Sequence, residues 1–402
     1  MKQPSVLLLL QAVATSVLIG VAASAHAGPL DGFAPVQYGT GFGDGTGYRT
    51  LYRFKGNLDG ASPSAPLTRI ASGRFVGTTI SGGQNSGTAY ELTRSGRRYH
   101  EKVLYRFSGG ADGLFPTSSL VTGAGGVLYG TTLYGGRGGC QAGCGTVYEL
   151  LPSGSGYAER VIYAFQNGSD GAFPAPTLAF LNGTLYGATF GGGLYRCRGL
   201  YGGCGTVFAL TPSGSGYTES ILYRFRGGND GAEPGIVFVS GNVLYGTTVS
   251  GFHKHGTVFE LLLSKGTARK RLVHGFEGGQ DGAMPTGLLK RGGALYGTTF
   301  EGGGYSGCFL SYLGCGTVFE LARSGDAFTE TILHRFSGPD GGNPNTGLIA
   351  GNNGVLYGTT QWGGTTCPQG CGTVSNLCRH KTVTSLRRCT YSMHQPLTCR
   401  PG

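Results

Sequence analysis

At 402 residues, the chain is too long for one ordinary compact core, whereas a stacked array of small units accommodates the length. Glycine occupies 80 positions, a level that can mean disorder, but 22 tyrosines and 21 phenylalanines recur at fixed places and supply burial to offset the ordering entropy. About half of the net charge of +11 sits on Lys2 and on Arg379, Lys381, Arg387, Arg388 and Arg400, and no basic stripe with interleaved aromatics runs through the rest, so no nucleic-acid partner is expected.

Residues 1–27 read as a secretory signal. Lys2 precedes an apolar run from Val6 to Val21, and Ala25-His26-Ala27 offers a small-x-small cleavage pattern. That run is short for a membrane span and no second apolar run follows, so no span is expected after cleavage. A secreted, periplasmic or cell-surface location follows. Residues 28–49 form an N-terminal lead-in.

From residue 50 to residue 377 one unit recurs six times: L-Y-G-T-T, a Gly-rich loop, G-T-V-F-E-L, a short turn, then L-Y-R-F and G-G-x-D-G-x-x-P. The glycines of L-Y-G-T-T are Gly77, Gly130, Gly187, Gly246, Gly297 and Gly358. A spacing of roughly fifty to sixty residues between short β-type segments belongs to propellers and related arrays. In the fifth copy, strands are expected at Gly287–Leu289, Ala294–Thr299, Gly316–Leu321 and Thr331–Phe336, where β-branched and aromatic residues are bounded by Gly, Ser and Asp. Four strands per unit make a propeller blade. The expectation is an all-β propeller of six four-stranded blades, with seven as the alternative if Val36–Thr40 is a further half-copy. Thr50–Phe54, an orphan fourth strand, would complete the last blade and close the ring. Glycine inside L-Y-G-T-T would weaken a lone strand, so its recurrence predicts close approach of a neighbouring blade. Residues 378–402 are basic, abandon the repeat and read as a divergent, disordered tail.

Cysteine follows loop length. The short loops Ile80–Ser86 and Val249–His255 have none, while the four longer ones hold Cys140 with Cys144, Cys197 with Cys204, Cys308 with Cys315, and Cys367 with Cys371. Pairs confined to the long loops of an exported chain predict local disulfides, each contributing about 2–3 kcal/mol in the loop-entropy view. Zinc held by cysteines is the weaker reading, since no C-x-x-C pair exists.

In a meander successive turns alternate between faces, so the stapled loops share a face with the G-G-x-D-G-x-x-P connections. That face carries Asp59, Asp112, Asp170, Asp230, Asp281 and Asp340, together with Trp362, the only tryptophan. The carboxylates are candidate binding groups, and Ca²⁺ the candidate cation, but Asp before Gly more simply caps a tight turn. Trp362 offers a ring for stacking a sugar. His253-Lys254-His255 is a weak metal motif, and Gly302, Gly304 and Gly307 match G-x-G-x-x-G by chance in a Gly-rich loop with no following helix. No catalytic residue, cofactor or metal site is expected from any motif.

The ordered sub-motifs L-Y-G-T-T-x-x-G-G, G-T-V-F-E-L and L-Y-R-F-x-G-G-x-D-G-x-x-P resemble the GloVer (Gloeo/Verruco-type) tandem repeat of exported bacterial proteins over residues 50–377, and more loosely the kelch propellers. The resemblance implies an exported repeat protein, often surface-anchored at its C-terminus, without an established biochemical activity. This chain departs from it in showing no sorting signal, apolar anchor or intact last blade. Two functions are weighed. One is a non-enzymatic scaffold binding a glycan, peptide or surface protein through its stapled loops. The other is a metal-assisted propeller lyase or hydrolase with its site in the central channel, which needs one blade with polar residues its sisters lack.

Peptide mapping of non-reduced secreted protein is expected to recover the four within-loop bridges; free thiols at these positions would refute the pairing.

Overall fold

The computed structural model describes residues 51–56, 58–154, 156–197, 201–251, 253–264, 267–305, 308, 314–351, 355–363, 373–378 and 387–388. The expected signal and lead-in, Gly307, the pair Cys367 and Cys371, and all of the tail except Cys378 and Arg387–Arg388 lie outside the described residues.

Among the described residues the chain is all-β, in six separate antiparallel sheets, broken only by the 3-10 turns Ala124–Gly126 and Gly228–Asp230. The third sheet shows the pattern: Ala172–Leu181, Thr184–Gly191, Thr206–Ser213 and Gly216–Arg224 pair in sequence order. The fourth sheet (Ala232–Ser240, Val243–Ser250, Thr257–Ser264, Thr267–Gly275) and the fifth (Ala283–Arg291, Ala294–Glu301, Thr317–Ser324, Ala327–Arg335) repeat it. The strands run longer than the sequence motifs because pairing continues into the flanking turns.

In the first two sheets the leading strand is interrupted. Ala61–Pro63 and Thr68–Ala71 both pair with Arg74–Ser81, and Leu114–Pro116 and Val121–Thr122 both pair with Leu128–Tyr134. The later sheets show a register shift at the same place, just after Pro174, Pro234 and Pro285. Proline brings no N–H to the ladder, so the irregularity falls beside it.

The sixth sheet is Ile349–Ala350, Leu356–Thr360, Thr373–Cys378 and Arg387–Arg388. Its edge is taken by the two tail residues, paired with Leu377 and Cys378, while residues 51–54 lie in no strand. Arg387 and Arg388 are near in sequence to the strand they pair with, and no ladder joins the sixth sheet to the first among the described residues.

Aromatic rings join sheet to sheet. The L-Y-G-T-T glycine stands opposite the aromatic of G-T-V-F-E-L in the register pairs Gly77–Tyr90, Gly130–Tyr148, Gly187–Phe208, Gly246–Phe259 and Gly297–Phe319. The ring covers its glycine: a Cβ on Gly187 would sit 2.5 Å from Phe208 Cζ. The crowding therefore comes from the ring of the same sheet, not from the neighbouring blade as the sequence suggested. The neighbour acts one step further out. Phe54, Phe107, Phe165, Phe225 and Phe276, which end L-Y-R-F, pack edge-on against those five rings at centroid distances of 4.8–5.2 Å. Opposite Gly358 the sequence has Ser375, so the ladder of rings stops there. A cleft opens at this seam, lined by Phe336, Leu348, Leu356, Gly358, His334 and Asp340.

A hydroxyl pair recurs in every sheet. Thr79–Thr88, Thr132–Thr146, Thr189–Thr206, Thr248–Thr257, Thr299–Thr317 and Thr360–Thr373 bond Oγ1 to Oγ1 at 2.8–2.9 Å. The second threonine's N–H also donates to the first hydroxyl, as from Thr206 to Thr189. Both ends of the variable loop are thereby tied at its base.

Phe208→Ala removes the ring that Gly187 and Phe165 share. Its cost is expected at about 3–5 kcal/mol by chemical denaturation; a loss below about 1 kcal/mol would show that the seam does not rest on these rings.

Candidate functional site

Beyond three of the threonine pairs the loop between the second and third strands is clamped again. Cys140–Cys144, Cys197–Cys204 and Cys308–Cys315 are disulfide-bonded, with Cα separations of 5.1, 5.0 and 5.3 Å. The second cysteine of each pair is buried, and its carbonyl accepts an N–H from the following seam: Phe173 to Cys144, Glu233 to Cys204, Asn343 to Cys315. Ser86 and His255 receive the same bond, from Phe115 and Met284, in the loops without cysteine. To make it, Phe115, Phe173, Glu233, Met284 and Asn343 all adopt φ between +53° and +58°. Left-handed backbone at a non-glycine residue costs about 1–3 kcal/mol, and here each case sits directly before a proline at a seam.

Loops and seam turns do share one face. Gly136 donates to Gly110 O, Gly193 to Gly168 O and Gly303 to Gly279 O, each linking a second-to-third-strand loop to the turn that precedes its own sheet. The stapled loops present apolar and aromatic groups to solvent: Leu194 is 67% exposed, Tyr195 40% and Tyr305 50%. The Arg226 guanidinium lies 5.6 Å from the Tyr195 ring centroid. Trp362 is half-buried, its backbone exchanging two hydrogen bonds with Gly342. His253 is exposed, and His255 is half-buried with its ring beside Gly278.

Each seam aspartate is engaged in its own turn. The backbone N–H groups of Lys55, Ser108, Gln166, Arg226, Glu277 and Ser337 donate to Asp59, Asp112, Asp170, Asp230, Asp281 and Asp340 at 2.7–3.2 Å. The penultimate aromatic position of L-Y-R-F supplies a second partner. Tyr52, Tyr105, Tyr163 and Tyr223 donate their hydroxyls to the first four aspartates at 2.7–3.3 Å. Burial, and then the adjoining aspartate (for Tyr163, Glu219 ahead of Asp170), pushes these phenols upward, Tyr52 to about 12, so they remain donors. At the last two seams histidine takes the place of tyrosine: His274 beside Asp281, and His334 Nε2 2.9 Å from Asp340.

A third position completes the seam, and sequence reading passed over it. Four residues before the Tyr or His stands Glu101, Glu159, Glu219, Lys270 or Glu330. In a regular strand this residue and the Tyr would face the same way. A register shift between them, as at Val161/Tyr163, Ile221/Tyr223 and Leu272/His274, turns one toward the preceding seam and the other toward the following one. The glutamate thus meets the aspartate of the seam before its own sheet. Burial, and then Asp59, Asp112 or Asp170, raises Glu101, Glu159 and Glu219 to about 7. At the fourth seam Lys270 replaces the acid, and its Nζ stands 2.8 Å from Asp230 Oδ1 and 5.2 Å from the Phe225 ring centroid. At the fifth, His274 Nε2 lies 3.3 Å from Asp281 Oδ1 and 3.6 Å from Glu330 Oε1. Burial and the adjoining Asp281 carboxyl push Glu330 upward as well.

Successive four-stranded antiparallel meanders, packed ring-to-ring at five seams, define a propeller-type repeat protein. Three overlapping stretches, residues 36–201, 137–310 and 195–395, match the Gloeobacter/Verrucomicrobia repeat, and the chain belongs to that family. No curated protein matches it. Among solved structures, a 6-phosphogluconolactonase candidate from Bacteroides uniformis is similar at a TM-score of 0.52 and 12% identity, over 80% of this chain and 82% of that one. A hypothetical selenium-binding protein from Sulfolobus tokodaii gives 0.48 and 12%, over 78% and 74%. The PQQ-bound aldose sugar dehydrogenase of Streptomyces coelicolor gives 0.44 and 12%, over 77% and 92%. Such identities speak for fold alone. Among the described residues no helix is long and apolar enough to cross a membrane.

The raised glutamates set a pH dependence. Well below the ordinary glutamate value of 4.5 the folded and unfolded chains both hold these protons; as pH climbs through 4.5 to about 7 the unfolded chain loses them first, so stability falls across that window and levels off above it. The triple variant Glu101→Gln, Glu159→Gln, Glu219→Gln should flatten this part of the melting-temperature profile and melt higher than wild type at pH 8. A profile of unchanged slope would contradict the assignment.

Proposed function

We propose that the protein is an exported, non-enzymatic β-propeller of six blades that binds a glycan through the loop face. Export rests on the pattern of residues 1–27 and agrees with the three disulfides. Six sheets built on one motif among the described residues support a reading of six blades.

One observation carries the binding reading. The loops between second and third strands vary most in length between copies; each is tied at its base by a threonine pair, and three of the longer ones also by a disulfide. Variation displayed on a rigid support is how recognition surfaces are built. The exposed rings of Tyr195 and Tyr305, from two such loops, supply flat apolar faces with a polar edge, which suit the C–H faces of sugars. The aspartates that recur at the seams are engaged in capping, and the first four also accept a tyrosine hydroxyl, which fits an architectural role.

A glycan array probed with the secreted protein tests this. Binding to a defined glycan class, lost at least about tenfold in the Tyr195→Ala, Tyr305→Ala double variant with an unchanged melting curve, is expected. Binding only to peptides, or glycan binding unaffected by the double substitution, would overturn it.

A further inference from the structure

We propose that His274, Asp281 and Glu330 form a binding site for one divalent transition-metal ion of the zinc type. The ligands are His274 Nε2, Asp281 Oδ1 and Glu330 Oε1, with the fourth position left to water. The site goes beyond the glycan-binding reading and does not depend on it.

The three groups arrive from three different pieces of chain: the end of the fourth sheet, the turn of the fifth seam, and the outer strand of the fifth sheet. Their donor atoms all lie within 4.8 Å of one another. An ion with bonds of about 2.0–2.1 Å to nitrogen and oxygen holds tetrahedral ligands about 3.3–3.4 Å apart. The separations of 3.3 Å and 3.6 Å from the imidazole nitrogen match that edge length, so little movement is needed. His274 Nε2 and Glu330 Oε1 are each shielded from solvent and face only one another and Asp281, at separations too long or too poorly aligned for good hydrogen bonds. The second Asp281 oxygen, Oδ2, is already fixed by the Glu277 N–H at 2.7 Å, which leaves Oδ1 directed at the cluster.

The sister seams show what is particular to this one. At the fourth seam the chain can seat a cation on the same aspartate position, the Lys270 ammonium on Asp230. The fifth seam keeps the paired Asp and Glu of the first three, with Glu330 in place of Glu101, Glu159 or Glu219, and exchanges only the phenol for an imidazole, which adds a nitrogen ligand to two carboxylates. In the first four seams a tyrosine hydroxyl stands where His274 stands, and among the described residues imidazole, Asp and Glu come together only once. The nearby Arg335 directs its Nε to Gln280 O at 3.2 Å. One imidazole with two carboxylates favours zinc-type ions over Ca²⁺, which needs six to eight oxygens.

The test is metal binding by the full-length, untagged chain after dialysis against chelator, read by calorimetric titration with Zn²⁺ and by elemental analysis. Wild type is expected to bind one equivalent. His274→Tyr and Glu330→Lys each reproduce a residue found at a sister seam, so both are built to fold, and each should weaken binding more than about 100-fold, beyond the effect of a merely supporting residue. A His253→Ala, His255→Ala variant should bind as wild type does. Failure of the wild type to bind one equivalent would overturn the site, as would binding that survives both seam substitutions, follows His253 and His255, or prefers Ca²⁺ to Zn²⁺.

Discussion

The fold depends on a ring laid over a glycine. A four-stranded meander alone has two apolar faces and no way to bury them. Each sheet solves this by removing a side chain from its second strand, covering the gap with an aromatic from its third, and offering that ring to the phenylalanine of the sheet before. Edge-on packing of large rings combines apolar burial with directional preference, so it fixes both the spacing and the tilt of neighbouring sheets. Where Ser375 replaces the ring, the neighbouring Phe336 loses its partner and a cleft appears in place of the contact.

On this support the loop face divides its work. The base of every variable loop is tied by the same threonine pair, and the seam beneath it by the same left-handed residue bonded across to the previous sheet. Longer loops add a disulfide. Length and composition can then change beyond the threonine pair without disturbing the ladder, and the exposed Leu194, Tyr195 and Tyr305 sit between that pair and the disulfide.

The seams form an internal series of substitutions. One geometry, aspartate in a turn, hydroxyl or imidazole from the strand before it, and acid or lysine from the strand after it, is filled differently at successive positions. Two buried carboxylates side by side hold a proton to a higher pH; an ammonium in place of one makes an ion pair; an imidazole in place of the phenol adds a metal-type donor. Chemistry at these seams varies by single residues while the backbone stays the same.

Much of this was legible in the chain itself. Repeat number and order, all-β character, the glycine and turn chemistry and the within-loop cysteine pairs follow from local pattern, because each depends on residues close in sequence or recurring at a regular interval. The capping role of the aspartates was equally readable from Asp-Gly in a turn. Other features depended on tertiary packing. The partner of the L-Y-G-T-T glycine is a cross-strand ring, the edge of the sixth sheet is filled by Arg387–Arg388, and the glutamate four residues before each Tyr or His faces a different seam from its neighbour. Strand alternation predicts the opposite for that last pair. A bulge reverses it, and the balance of ring packing and cross-strand hydrogen bonds that creates the bulge exists only when the sheets are assembled, so the meeting of His274, Asp281 and Glu330 was decided by the fold.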